Sequence, residues 1–322
     1  MIIKNVVTNQ QRVHLHTKKI NKLHNYNKIY YISWVFNQPQ TNIKPYQHNR
    51  IILRKLNTDV VEYYDKLVLL NNIKTNKTNK NSKTKFKELI KIEDINISST
   101  KIDTLIFLRC CLKLQRLYCS FNRLTSFEGL ENCVKLQYLN SSDNKLISLR
   151  GLENCVNLED LGVSYNAELT SLHGLKNCIN LRQLRCSSNK IVSIDVLKNC
   201  FNLRNLFCHN NKIISLQGIE KCLNLSTLYC YNNKIISLQG IEKCLNLSAL
   251  YCSNNKITSI LELKKCVNLQ QLSCSNNSIT SLDVLTYCIS LLALDCLGNP
   301  IEDEGIYKKL KDINEFMHII YI

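Results

Sequence analysis

From Leu114 onward, apolar and polar positions recur every 22 residues, in units opening at Leu114, Leu136, Leu158, Leu181, Leu203, Leu225, Leu247, Leu269 and Leu291. Only the third unit has 23 residues, the extra one beside Ala167. The opening L-x-x-L-x-C stretch predicts a short strand, with Leu203, Leu206 and Cys208 facing inward and Phe207 outward. One asparagine then follows in every unit: Asn122, Asn144, Asn166, Asn189, Asn211, Asn233, Asn255, Asn277 and Asn299. A buried amide at that place is expected to bond the backbone of the bend and the next asparagine along. The apolar return, I-x-S-L-x-G-L, carries a glycine in most units (Gly129, Gly151, Gly174, Gly218, Gly240), permitting a tight bend. So short a return predicts a 3₁₀ turn or extended chain rather than a long helix.

The flanks depart from this rhythm. A degenerate unit precedes the array at Ile92, Ile95 and Ile97, with Thr100 in the place of the asparagine. After Pro300, Ile306, Leu310, Ile313 and Phe316 recur at helical spacing, which predicts a helical cap over the last apolar layer. Asp59 before VVEYYDKLVLL reads as a capped helix. The polar, aperiodic run from Asn71 to Lys87 reads as a flexible linker. The expected organisation is a basic, partly helical N-terminal region (1–70), a Lys/Asn-rich linker (71–91), a solenoid of about ten units (92–300) and a C-terminal cap (301–322).

Nine consecutive copies of L-x-x-L-x-x-x-x-N resemble the leucine-rich-repeat family. The likeness is to its 22-residue class, typified by bacterial internalins and a eukaryotic phosphatase-regulatory subunit. The cysteine- and asparagine-rich units are also similar in composition to repeats of giant amoeba virus proteins. The resemblance covers residues 92–322 and implies an α/β fold, a right-handed solenoid. Its parts would be a parallel concave sheet, short 3₁₀ or extended convex legs and a C-terminal helical cap. It is nearly silent on activity, because one repeat architecture serves many partners. Residues 211–226 recur unchanged at 233–248, the mark of a recently duplicated unit.

Charge and cysteine alter the picture in two ways. The net charge is +17, but residues 1–91 hold eighteen Lys/Arg against four acids and carry +14 of it. That segment, with Tyr26, Tyr30, Tyr31 and Trp34, has the composition of a nucleic-acid or acidic-surface ligand, yet no recognised nucleic-acid motif spacing is present. Of the seventeen cysteines, nine fall at the apolar corner of a unit and seven on the strand, leaving Cys110. There is no C-x-x-C pair and no histidine shares the repeat register inside the core, so the thiols read as small core residues, without metal. His14, His16, His24 and His48 make a weak metal case. The start lacks a signal-peptide stretch and no run is long enough to span a membrane, so an intracellular, cytoplasmic protein with reduced thiols is expected.

The outward strand residues are the expected contact surface of such a solenoid. Tyr118, Asn140, Gly162, Arg185, Phe207, Tyr229, Tyr251, Ser273 and Asp295 occupy one such row, and Ser120, Ser142, Ser164, Ser187, His209, Tyr231, Ser253, Ser275 and Leu297 the next. Phe207, Tyr229 and Tyr251 are expected as vertical neighbours with His209 and Tyr231 beside them, an aromatic cluster of hot-spot type. Arg123, Lys145, Lys190, Lys212, Lys234 and Lys256 form a charged row, read as a solvated rim with Glu220 and Glu242 close by. No nucleotide-binding, hydrolase or metalloprotease motif appears. The expectation is a non-catalytic scaffold without cofactor, binding an unidentified protein on the concave face. Nucleic-acid association through residues 1–91 is the alternative.

Overall fold

The computed structural model describes residues 30–34 and 50–55 as backbone, and residues 91–109, 111–303, 305–315 and 317–320 more fully. The helix expected from Asp59, the 71–91 linker but for Lys91, Cys110 and the four N-terminal histidines lie outside the described residues. Within 1–70 the described segments are two antiparallel strands, β1 (Tyr30–Trp34) and β2 (Arg50–Lys55). The chain divides into two compact units, Met1–Asn144 with Arg150–Val156, and Lys145–Leu149 with Asn157–Ile322.

In the first unit, β2 pairs in parallel with β3 (Asp94–Asn96), and β3 with β4 (Arg116–Tyr118). β4 in turn pairs with β5 (Tyr138–Asn140). Ile92, Ile95 and Ile97 are buried, so the degenerate unit is a true first layer. Thr100 does there what asparagine does elsewhere: its hydroxyl donates to Ile97 O at 2.6 Å, as Asn122 Nδ2 donates to Cys119 O at 2.9 Å, both three residues back.

The second unit stacks β6 (Asp160–Gly162), β7 (Gln183–Arg185), β8 (Asn205–Phe207) and β9 (Thr227–Tyr229) in parallel. β10 (Ala249–Tyr251), β11 (Gln271–Ser273) and β12 (Ala293–Asp295) continue the stack. Each strand is three residues long because the bend follows at once. Leu184, Leu206, Leu228, Leu250, Leu272 and Leu294 lie in register, one per strand, and are buried. The C-terminal cap begins as predicted with a helix, α1 (Ile306–Ile313), whose Ile306 and Leu310 are buried. Ile313 is exposed, however, because the helix ends there. The chain then adds a strand the periodicity did not reveal, β13 (His318–Ile320), parallel to β12 and anchored by buried Met317.

Every bend is built around the repeated asparagine. Asn233 Nδ2 faces the carbonyls of Cys208 (3.1 Å), Cys230 (3.0 Å) and Tyr231 (3.2 Å), and its Oδ1 accepts from the Ile213 N–H at 3.0 Å. The ladder thus ties each bend to the backbone of the preceding turn, where the sequence suggested amide-to-amide bonds. A neighbouring ladder asparagine enters at Asn166, whose backbone N–H donates to Asn189 Oδ1 at 2.7 Å. That is the 23-residue unit, where the inserted residue displaces the usual donor. The residue before each ladder asparagine is left-handed, and Asn210, Asn232, Asn254 and Asn276 suit that conformation.

A second ladder went unforeseen. Asn202, Asn224, Asn246 and Asn268, two residues past the corner cysteine, donate to Ile179, Phe201, Leu223 and Leu245 carbonyls at 3.0–3.3 Å. The side chains of those four acceptor residues are exposed and form an apolar row.

The return leg follows its glycines. Where glycine stands, as in Gly218 (φ 102°), the following glutamate turns back and accepts its N–H, Glu220 Oε2 at 2.7 Å. Glu242 does the same for Gly240 at 2.8 Å, so these acids cap their own turns rather than neutralise the lysine row. The 3₁₀ turns after Gly218 and Gly240 are three residues long, Ile219–Lys221 and Ile241–Lys243. Three units without glycine make five-residue turns instead, Asp195–Asn199, Leu261–Lys265 and Asp283–Tyr287.

Glycine is required to different degrees. A Cβ on Gly151 (φ 107°) would stand 2.1 Å from Phe127 O, whereas on Gly240 (φ 101°) it would meet nothing closer than Ile219 Cγ2 at 3.3 Å. Gly240→Ala should therefore cost only the left-handed penalty, about 1–2 kcal/mol. Gly151→Ala adds a backbone collision and should cost at least about 2 kcal/mol more. Thermal melts of the two variants side by side check this; equal losses would mean the close approach is unimportant.

Candidate interaction face

The residues singled out by the sequence divide between the two compact units. Tyr118, in the first, packs its ring on Tyr138 with centroids 4.9 Å apart. Tyr138 lies two residues earlier on the strand cycle, in an outward row the sequence reading overlooked. Arg116, in that row, pairs with Asp94, its Nη2 2.7 Å from Oδ2.

In the second unit five of the predicted residues come together. The Phe207 and Tyr229 rings are 5.1 Å apart, those of Tyr229 and Tyr251 4.3 Å, so a continuous aromatic shelf runs across β8, β9 and β10. His209 stacks on Tyr231 at 4.4 Å with planes 13° apart and meets Tyr229 edge-on at 6.4 Å. The register follows from the repeat: parallel pairing sets Phe207 against Tyr229 and Tyr229 against Tyr251. Arg185 precedes Phe207 in the same row, but its guanidinium is engaged by Asp160 Oδ1 at 2.8 Å. All five cluster residues are half-buried, since each ring shields the next.

The surroundings of the cluster disfavour charge. Burial pushes the His209 imidazole below its ordinary value, and its Nδ1 is buried without a hydrogen-bond partner among the described residues. Burial, then the neighbouring Tyr229, pushes the Tyr251 phenol up, and burial does the same to Tyr231. The shelf is thus an apolar, mostly neutral platform with hydroxyls at its margin.

The serine row differs from expectation. Ser120, Ser164, Ser187, Ser253 and Ser275 are buried rather than presented outward, because the strand bends beneath them. Their hydroxyls bond across neighbouring turns, Ser187 to Ser164 at 3.0 Å and Ser275 to Ser253 at 2.9 Å.

The sixteen described cysteines are buried and unpaired as disulfides, and no group of three or more His, Cys, Asp or Glu among the described residues could hold a metal. Corner thiols reach carbonyls of the preceding turn, Cys222 Sγ to Leu197 O at 3.5 Å and Cys244 Sγ to Ile219 O at 3.6 Å. Cysteine there combines a small apolar volume with a weak donor that leucine lacks.

Residues 201–243 and 223–265 match the family model for leucine-rich repeats, in two copies. The fold is that of a leucine-rich-repeat solenoid. Solved structures show the same fold. An internalin, inlF, from Listeria monocytogenes is 22% identical at a TM-score of 0.58, the match spanning 73% of this chain and 77% of that one. The functional domain of InlJ from the same organism, which includes a cysteine ladder, is 24% identical at a TM-score of 0.53, over 73% and 54% of the two chains. A TLR13–ssRNA13 complex gives 21% identity and a TM-score of 0.55, over 66% of this chain and 34% of that one. A search of curated proteins found no match. Leucine-rich repeats commonly serve as protein-interaction modules, and no described helix of this repeat protein is long and apolar enough to cross a membrane.

Proposed function

We propose that the chain is a non-catalytic interaction module that binds a protein partner on the strand face of its second unit. The supporting observation is the shelf of Phe207, Tyr229 and Tyr251 flanked by the His209–Tyr231 stack. It offers wide apolar area on side chains with few rotatable bonds, which lowers the entropy lost on binding. The rings project from three successive strands and are preorganised by contact with one another, so a partner meets a rigid surface.

The test is affinity capture from native lysate by the full-length chain and two variants. One carries Phe207→Ala, Tyr229→Ala and Tyr251→Ala; the other carries Phe201→Ser, Leu223→Ser and Leu245→Ser in the exposed apolar row. Loss of two or three hot-spot rings should weaken a partner at least about a hundredfold, while the second variant keeps it. The reverse pattern would move the binding face to the apolar row. A catch of nucleic acid that both variants retain, and that salt removes, would move it to the basic residues 1–91.

A further inference from the structure

The aromatic shelf ends in a step. The row that reads Phe207, Tyr229, Tyr251 continues as Ser273 and Asp295, because parallel pairing carries Tyr251 onto Ser273 and Ser273 onto Asp295. The neighbouring outward row passes from Gln271 to Ala293 and His318. A serine where the row carried a ring, beside the small Ala293, opens a recess of about 310 Å³ between Tyr251 and Asp295, with Gln271 and His318 around it.

The polar groups of this recess are arranged around one carboxylate. Ser273 Oγ donates to Asp295 Oδ2 at 2.9 Å, and Ser275 Oγ lies 3.1 Å from the same oxygen. Among the described residues Asp295 Oδ1 has only a long contact from the Leu297 N–H, at 3.4 Å. Among the described residues no Lys, Arg or His nitrogen lies within 4 Å of this carboxylate, in contrast to Asp94 with Arg116 and Asp160 with Arg185 on the same kind of strand. Opposite stands Tyr251, whose hydroxyl donates to Gln271 Oε1 and whose ring is packed on one side by Tyr229.

We propose that this recess receives an arginine side chain of the protein partner. The proposal rests on the interaction reading of the shelf and adds the chemistry of what docks beside it. A planar guanidinium can lie against the Tyr251 ring while its N–H fork reaches the open Asp295 oxygen, so one group meets the aromatic wall and the carboxylate together. A lysine ammonium, a more strongly hydrated point charge, matches the carboxylate but not the flat wall. An anionic side chain would meet Asp295 with like charge and is excluded.

The test uses the full-length protein and N-acetyl-arginine methylamide as probe, followed by backbone amide shifts at pH 7.5, with the citrulline and lysine analogues as controls. The expected result is a saturable shift at Ser273, Asp295 and His318 with the arginine probe alone. Asp295→Asn should weaken it at least about tenfold by removing the charged acceptor. Ser273→Tyr, which continues the shelf into the recess and keeps Asp295, should abolish it. Unchanged shifts elsewhere in the repeats show that both variants are folded. Equal response to citrulline or lysine, or undiminished binding by both variants, overturns the assignment. If capture of a partner depends on the shelf while the arginine probe leaves the recess unmoved, only this inference falls. If the probe binds but no capture depends on the shelf, the interaction reading falls and takes the partner's arginine with it.

Discussion

Raising the pH should unfold this protein abruptly about one unit above pH 9. Thirteen of the buried thiols are displaced upward from the ordinary cysteine value of 9.0, and burial is the first cause in each. Cys119, Cys208 and Cys252 are pushed up to about 12, Cys288 and Cys296 to about 11. Below pH 9 both folded and unfolded chains hold these protons and the thiols contribute no pH dependence. Above it the unfolded chain releases them first, so the folded state binds more protons and stability falls as pH rises toward 11–12. Each such thiol removes about 1.4 kcal/mol per pH unit, and a domain stable by about 5–15 kcal/mol cannot withstand many at once. Circular dichroism and thiolate absorbance followed together from pH 7 to high pH should change in one step. Thiols that ionise progressively while the dichroism persists would show that water already reaches the core.

The second large effect is expected from the bend asparagines and should depend on burial. Asn166 is fully buried, its Nδ2 facing Val163 O (3.0 Å) and Ser164 O (3.2 Å) and its Oδ1 taking the Leu146 N–H at 2.9 Å. Asn166→Leu removes all of these and leaves backbone groups without water. At about 1–3 kcal/mol per unsatisfied group, the loss should reach roughly 3–5 kcal/mol. Asn233 makes the same pattern of bonds but is half-buried, so water can serve the abandoned carbonyls and Asn233→Leu should cost about half as much. Hydrogen exchange at Leu146 and Ile213, with denaturant melts, separates the two. Similar losses would show that the bonds matter irrespective of solvent access.

The repeat was legible because its signal is a spacing. Leu206, Cys208 and Asn211 each have one solution for where they face, and nine copies state it again. Phe207, Tyr229 and Tyr251 could be stacked on paper because parallel pairing in register follows from equal unit length. What spacing could not convey was direction at the margins. The serine row was placed outward by alternation, yet the chain leaves the strand at Cys208 and its equivalents, so Ser187 and Ser275 turn under. The row of Arg116, Tyr138 and Asp160 was missed because it sits between two leucines and varies in chemistry from unit to unit. Asn224 and Asn246 were hidden by the stronger asparagine ladder, and β13 by having no repeat to belong to. The recess beside Asp295 is a difference in side-chain size between neighbouring strands, which emerges only when the strands are set side by side.

Ladder bonds from Asn211 to Asn277 reach back 20 or 25 residues, to the unit before, and no farther. A block of 22 residues can therefore be excised or copied without stranding a donor or acceptor, since the new neighbours offer the same groups at the same places. The verbatim recurrence of 211–226 at 233–248 is such an event caught in the sequence, and it lies under the shelf. Tyr229 and Tyr251 stand three residues past the two copies, in adjacent layers, so each added layer of this kind widens the aromatic platform by one ring. Gain or loss of a layer here changes the width of the aromatic face without redesigning a single contact.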